Sequence, residues 1–164
     1  MSKIGIFYGT TTGVTEEIAH KISEKLEDSE VLDIAGNEDK LENYDVLLLG
    51  ASTWGFGDLQ DDWQVILSDL SKLNLKGKKV GFFGTGDCST FSDTFLDGIG
   101  ILYEEIIKTG ATIIGQIGIE GYEFSESRAL LNGKFVGLGI DEVNEADLTD
   151  ERIENWVELI KEQI

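Results

Sequence analysis

Short apolar runs alternate along this chain with longer stretches in which apolar residues return every three or four positions. Ile4 to Tyr8, Val31 to Ile34, Val46 to Gly50, Val80 to Phe83 and Thr112 to Ile117 have the length of buried strands. Between them, stripes at helical spacing predict helices. Ile18, Ile22 and Leu26 mark one over about Thr15 to Leu26, and Trp63, Ile66, Leu67 and Leu70 mark a second over Asp61 to Leu73. Phe95, Ile99, Leu102 and Ile106 stripe a third. The last starts at Thr149, with Leu148 and Ile153 at the positions of a hydrophobic staple and Ile153, Trp156, Val157 and Ile160 as its buried face. Ala35 to Tyr44 is polar and unpatterned. Phe135 to Ile140 continues the fifth strand after a mixed polar insertion, Gly118 to Lys134. Alternating strands and helices predict a parallel sheet covered on both faces, with right-handed crossovers. At 164 residues, residues 1–164 form one domain.

The first strand breaks at Gly9 and passes through Thr10, Thr11, Thr12, Gly13, Val14 and Thr15 into a helix. Such a loop aims the unpaired N–H groups of the first turn at one spot, and the helix dipole favours an anion there. Four threonine hydroxyls ring the spot and no Lys or Arg lies between residues 4 and 20, so a phosphate would be held by hydrogen bonds alone. A plain N-cap would need only Thr12 or Thr15. Neither the lysine-bearing loop of nucleoside-triphosphate enzymes nor G-x-G-x-x-G follows this strand.

Composition narrows the classes. The chain has 13 basic and 32 acidic side chains, a net charge of -19. That sign repels nucleic acid and anionic membrane and attracts basic protein surfaces, although acidity alone also keeps a small protein soluble. No apolar run approaches the ~20 residues of a membrane span, and the apolar run after Met1-Ser2-Lys3 is too short for a signal-peptide core. One cysteine, Cys88, fits a reducing cytoplasm. His20, the only histidine, stands among charges and reads as a surface residue. Trp63 is assigned to the core or its margin rather than to a ligand.

Two further loops leave strand ends. Ala51-Ser52-Thr53-Trp54-Gly55-Phe56-Gly57-Asp58 follows the third strand, and Gly84-Thr85-Gly86-Asp87-Cys88-Ser89-Thr90-Phe91 the fourth. Each carries an aromatic residue beyond the core, and their glycines let backbone approach a ligand closely.

These motifs together resemble the flavodoxin family over essentially the whole chain. The resemblance rests on T-T-T-G-V-T-E at Thr10 to Glu16, T-W-G-F-G-D-L-Q-D-D-W at Thr53 to Trp63 and G-T-G-D at Gly84 to Asp87. It extends to G-K-F-V-G-L at Gly133 to Leu138 and L-T-D-E-R-I-E-N-W at Leu148 to Trp156. It implies an α/β three-layer sandwich, with a five-stranded parallel sheet of order 2-1-3-4-5 and helices on both faces. The insertion at 118–134 resembles that of the long-chain subgroup, where it splits the last strand. The implied cofactor is FMN, bound without a covalent link. Thr10, Thr11, Thr12, Gly13, Val14 and Thr15 would hold its phosphate, with Thr53 assisting along the ribityl end and Ser52 also among the cofactor-binding residues. Trp54 would cover one ring face and Phe91 the other. Backbone of Gly55, Phe56 and Gly57, and of Thr85, Gly86 and Asp87, would meet the ring's polar edge, with Thr94 near the pyrimidine. The peptide Gly55–Phe56 would be the one that rotates with the ring's redox state. Four positions depart from the pattern. Phe91 stands where Tyr is usual, Thr94 and Leu96 where relatives carry amides, and Val143 where an acidic residue is common.

The implied activity is that of a low-potential one-electron carrier with no substrate of its own. No histidine, Cys-x-x-Cys or second domain offers turnover chemistry. Its implied partners are redox enzymes with basic docking surfaces, such as a flavodoxin or ferredoxin reductase or a 2-oxoacid oxidoreductase, met in transient complexes by a cytoplasmic monomer. An FMN-dependent reductase is the alternative, but aromatics on both ring faces leave little room for a second substrate. A phospho-receiver needs acidic residues after the first strand, and Gly9 to Gly13 has none.

Overall fold

A computed structural model describes residues 3–164, and its sheet grows outward from strand β1 (Ile4–Gly9), buried along its whole length. β1 pairs in parallel with β2 (Ser29–Asp33) on one side and β3 (Val46–Trp54) on the other. β3 runs beyond its buried part and turns back into the two-residue β4 (Asp58–Leu59), which pairs with it antiparallel. Next to β3 lies β5 (Lys79–Thr85), again parallel.

The fifth place in the sheet is filled in two pieces. β6 (Thr112–Ile113) pairs with Lys79 and Val80, and β10 (Leu138–Ile140) pairs with Phe83, Gly84 and Thr85. Between the pieces, β7 (Ile117–Gly118), β8 (Leu130–Leu131) and β9 (Lys134–Phe135) form a small antiparallel sheet of order β7-β9-β8. The expected order, with the last strand split, is the fold. The split begins earlier than periodicity predicts. The chain turns off the sheet at Gly115, which has φ 75°, so Ile117 and Phe135 pair with each other rather than with β5.

Strand alternation sends side chains to two cores. Phe7, Leu47, Leu49 and Phe82 pack on one face beneath α2 (Asp61–Leu70) and α3 (Asp97–Ile106), with Trp63, Leu70, Leu102 and Ile106. Ile4, Ile6, Leu48 and Phe83 face α1 (Val14–Ser23) and α4 (Thr149–Gln163), with Ile18, Ile22, Trp156 and Ile160. Helix ends differ in detail. α1 stops at Ser23, although Leu26 stays buried. Phe95 precedes α3 because Leu96 takes φ 62° and the chain reverses there. Phe95 packs instead on Tyr122, Phe124 and Phe135, which seats the insertion on the core. Among the described residues, no helix is long and apolar enough to cross a membrane.

Trp63 is fully buried, and its indole Nε1–H donates to the Gly50 carbonyl at 2.8 Å. Trp63→Phe removes that donor and leaves a void at the top of the core. It should lower the unfolding free energy by about 1–3 kcal/mol, read as a lower urea midpoint at unchanged slope.

Candidate functional site

The register of the sheet brings three chain exits to one edge. Gly9 lies beside Ala51, Ala51 beside Gly84, and Ser52 beside Thr85. In a parallel sheet the carboxyl ends all point the same way, so the loops after β1, β3 and β5 share one rim. A cavity of about 350 Å³ opens there.

One end of the cavity is the start of α1. Its N-cap is Gly13, at φ 91°, a left-handed conformation that glycine adopts without the steric cost other residues bear. Glycine has no side-chain oxygen to cap the first turn, so the helix's leading N–H groups remain available to an anion. The loop is shaped from within, because the Gly13 N–H donates to Thr10 Oγ1 at 2.9 Å. Thr12, Val14 and Thr15 line the cavity. Thr15 is buried, and its hydroxyl lies 3.2 Å from that of Thr85 across the rim.

The other end is aromatic. Trp54 and Phe91 both line it, and the two rings keep 39% and 36% of their surface exposed, too much for core residues. Trp54 is held in orientation by its Nε1–H, which donates to Ser52 Oγ at 2.7 Å. Trp54 and Asp58 flank a tight hairpin, closed by the Gly57 N–H on the Trp54 carbonyl at 3.1 Å. Gly55, with φ 53°, is the first central residue, and Phe56 has negative φ, the φ pattern of a type II′ turn. A side chain at Gly55 would meet only Asp58 Oδ2, at 3.4 Å, so glycine is needed there for backbone freedom rather than for space.

Carboxylates dominate the electrostatics. Asp87 and Glu142 line the cavity, and among the described residues no Lys or Arg does. Burial pushes the Asp87 carboxyl up, but N–H bonds from Thr90, Asn144 and Ser89 together outweigh it and hold the group below its usual range. Behind the wall, Asp141 is fully buried and accepts N–H bonds from Cys88, Val143 and Asn144. Burial raises its pKa, and the hydrogen bonds more than reverse that. The Cys88 thiol is pushed up to about 12 by burial and then by Asp141, so it stays protonated. Cys88, Asp141 and Glu145 come within 4.8 Å of one another, but Glu145 is already paired with Arg152 at 3.0 Å.

Most of the anticipated residues meet at this cavity. Thr12, Val14 and Thr15 join Ser52, Thr53, Trp54 and Gly55, and these face Thr85, Gly86, Asp87 and Phe91. Thr10 and Gly13 build the loop, and Thr11 is exposed. Phe56 is 92% exposed, its ring edge-on to Phe91 with centroids 6.5 Å apart, outside the lining. Gly57, which closes the turn, and Thr94 lie outside the lining, and a Cβ on Gly57 would approach Asp97 Oδ2 to 2.8 Å and Thr94 Cγ2 to 3.3 Å. Glu142 is a lining residue that sequence reasoning missed, and Val143, marked as a departure from the pattern, lines the cavity too. Flanking turn residues after an apolar run carry no signal that distinguishes a site wall from a connection. The Trp-Gly-Phe-Gly turn did carry one for the unforeseen β4, since glycine at the first central place marks a type II′ hairpin. The ligand that fits has an anionic end for α1 and a flat ring for the aromatic pair.

The family model for flavodoxin matches residues 6–156. The chain is 47% identical to a flavodoxin of Synechococcus elongatus, covering 99% of this chain and 98% of that one. It is 46% identical to the flavodoxin of Helicobacter pylori, with 98% of each covered. Among solved structures, Fusobacterium nucleatum flavodoxin bound to flavin mononucleotide superposes with a TM-score of 0.96 at 34% identity, covering 100% of this chain and 99% of that chain.

A carboxylate held below its ordinary pKa stabilises the fold above the unfolded-state value and loses that contribution as pH falls towards the folded one. Asp141→Asn should therefore cost about 2 kcal/mol at neutral pH. The gap to the parent should close as pH drops below about 3.8. Urea titrations of both proteins from neutral to acid pH check this, and a constant gap would contradict it.

Proposed function

This chain belongs to the flavodoxin family, and on that premise we propose that its cavity holds FMN non-covalently, phosphate at α1 and ring between Trp54 and Phe91. The protein is an electron carrier rather than an enzyme with its own substrate. FMN, when bound, supplies the electron-accepting chemistry. The chain's own residues bind, orient and exclude water. The observation that carries this reading is a cavity with an uncapped helix start at one end and two half-exposed aromatic rings at the other.

In this reading Thr10 to Thr15 hold the phosphate by N–H and hydroxyl groups. Ser52 and Thr53 stand beside the ribityl end, and the Gly55–Gly57 and Thr85–Asp87 backbone meets the ring edge. Thr94 stands toward the pyrimidine edge. An apolar sandwich disfavours added charge on the ring by desolvation, and ionised Asp87 with Glu142 opposes it by repulsion. Both effects lower the potential. The insertion dividing the fifth strand supports the long-chain subgroup, and the aromatic packing of Phe95 on it supports a single domain. With net charge -19, the partners are redox enzymes with basic faces, such as a flavodoxin or ferredoxin reductase or a 2-oxoacid oxidoreductase, met briefly by a monomer in the cytoplasm.

Apo-protein titrated with FMN and with riboflavin should bind FMN at least about tenfold more tightly, equivalent to ~1.4 kcal/mol, because only FMN reaches α1. Equal dissociation constants would remove the phosphate from that loop, and absence of binding by both would remove the flavin.

Electron-transfer rates with a basic reductase should fall as salt rises, since exposed charges are screened beyond ~8 Å at physiological ionic strength. An optimum at intermediate salt fits the same steering if the tightest encounter is misoriented. Stopped-flow rates that stay flat across the salt range would refute it.

A further inference from the structure

Asn144 stands outside the cavity lining, yet it joins two of the loops that form it. Its side-chain Nδ2 donates to Asp87 Oδ1 at 2.8 Å and to Asp141 Oδ2 at 2.9 Å. An amide NH₂ has two hydrogens, so both bonds can be made together. The Asn144 backbone N–H donates to Asp141 Oδ1 at 2.9 Å, which fixes where the side chain starts. Asp87 in turn accepts the N–H groups of Ser89 and Thr90, and its carbonyl accepts that of Phe91 at 3.0 Å. Two paths thus run from the end of β10 to the turn that carries Phe91, one through the Cys88 N–H on Asp141 Oδ2 at 2.9 Å and one through the Asn144 amide to Asp87. Each link to a carboxylate is charge-assisted. No other side chain spans the two carboxylates among the described hydrogen bonds.

We propose that Asn144 is a positioning residue for the Phe91 wall of the cavity. It adds a side-chain tie from the end of β10 to Asp87, beside the backbone tie at Cys88, and so sets where Phe91 stands opposite Trp54. The inference rests on the flavin reading of this cavity. It makes a distinctive claim, because Asn144 acts on the ring end and has no contact with the α1 end. Losing it should weaken FMN and riboflavin by the same factor.

The test measures dissociation constants of FMN and riboflavin for the parent, Asn144→Ala and Asn144→Asp. It adds visible circular dichroism of the bound flavin and urea unfolding of each apo-protein. Asn144→Ala should weaken both flavins about tenfold, the loss of a hydrogen-bonded link to a charged group. It should change the dichroism of the bound ring and leave the FMN-to-riboflavin ratio as in the parent. Asn144→Asp keeps the shape but puts a third carboxylate between two others, and should lose at least as much. In a double-mutant cycle, Asp87→Ala with Asn144→Ala should bind no more weakly than Asp87→Ala alone, since Asn144 acts through Asp87. Unchanged constants and dichroism in a parent that binds both flavins would overturn this inference alone. So would a loss confined to FMN, or additive losses in the cycle. If Asn144→Ala fails to fold, Asn144→Asp and Asp87→Ala distinguish the same outcomes. A parent that binds neither flavin overturns the flavin reading and this inference with it.

Discussion

The parallel register of β1, β3 and β5 is the constraint on which the rest depends. Their side chains are buried on both faces, so slipping any strand by one residue would exchange its two cores. Phe7, Leu47 and Leu49 would move into the layer that belongs to Ile6 and Leu48. With slippage forbidden, Gly9, Ala51 and Gly84 stay level. The three loops that follow then open at one height. The cavity is a consequence of core packing before it is a feature of any loop.

Within that frame, the two ends of the cavity are built on opposite principles. The α1 end offers partial positive charge from backbone alone, set in a protein whose side chains carry a net charge of -19. A lysine there would bind an anion more strongly but would also place a full cation near the ring. The aromatic end offers flat surface with the carboxylates of Asp87 and Glu142 beside it. In the proposed reading, such a site would grip a doubly charged phosphate while keeping the electrostatic setting of the ring negative. The hydroxyl pair of Thr15 and Thr85 links the loop after β1 to the loop after β5 across the rim.

Much of this was legible in the sequence, and what was missed has a common physical cause. The apolar runs located the central strands, and Gly13 with its threonines located the anion end, because those signals are local. Trp54 and Phe91 were identifiable as residues with no core to enter. The hairpin after Trp54 has no counterpart in the hydrophobic pattern, because the bond that closes it, Gly57 N–H to the Trp54 carbonyl, is made by backbone alone. Phe95 fell in register with a helical stripe but packs on an insertion, a contact set by tertiary structure. Glu142 and the Asp87–Asn144–Asp141 path were not legible, since they join segments more than fifty residues apart in sequence. Polar side chains that meet only after folding have no period to reveal them.

The two-piece fifth strand has a consequence for how the molecule behaves in a crowd of its own copies. An open sheet ends in a row of unpaired N–H and C=O groups, a template on which another chain can add a strand. Here that boundary is interrupted. β6 contributes only Thr112 and Ile113, β10 only Leu138 to Ile140, and the chain leaves the sheet between them. Neither fragment is long enough to nucleate a continuous ladder with a neighbour. On the opposite boundary, β2 carries Glu30 and Asp33, whose charges repel a like chain. A protein with an open, strongly hydrophobic sheet is thereby guarded against self-association along both margins.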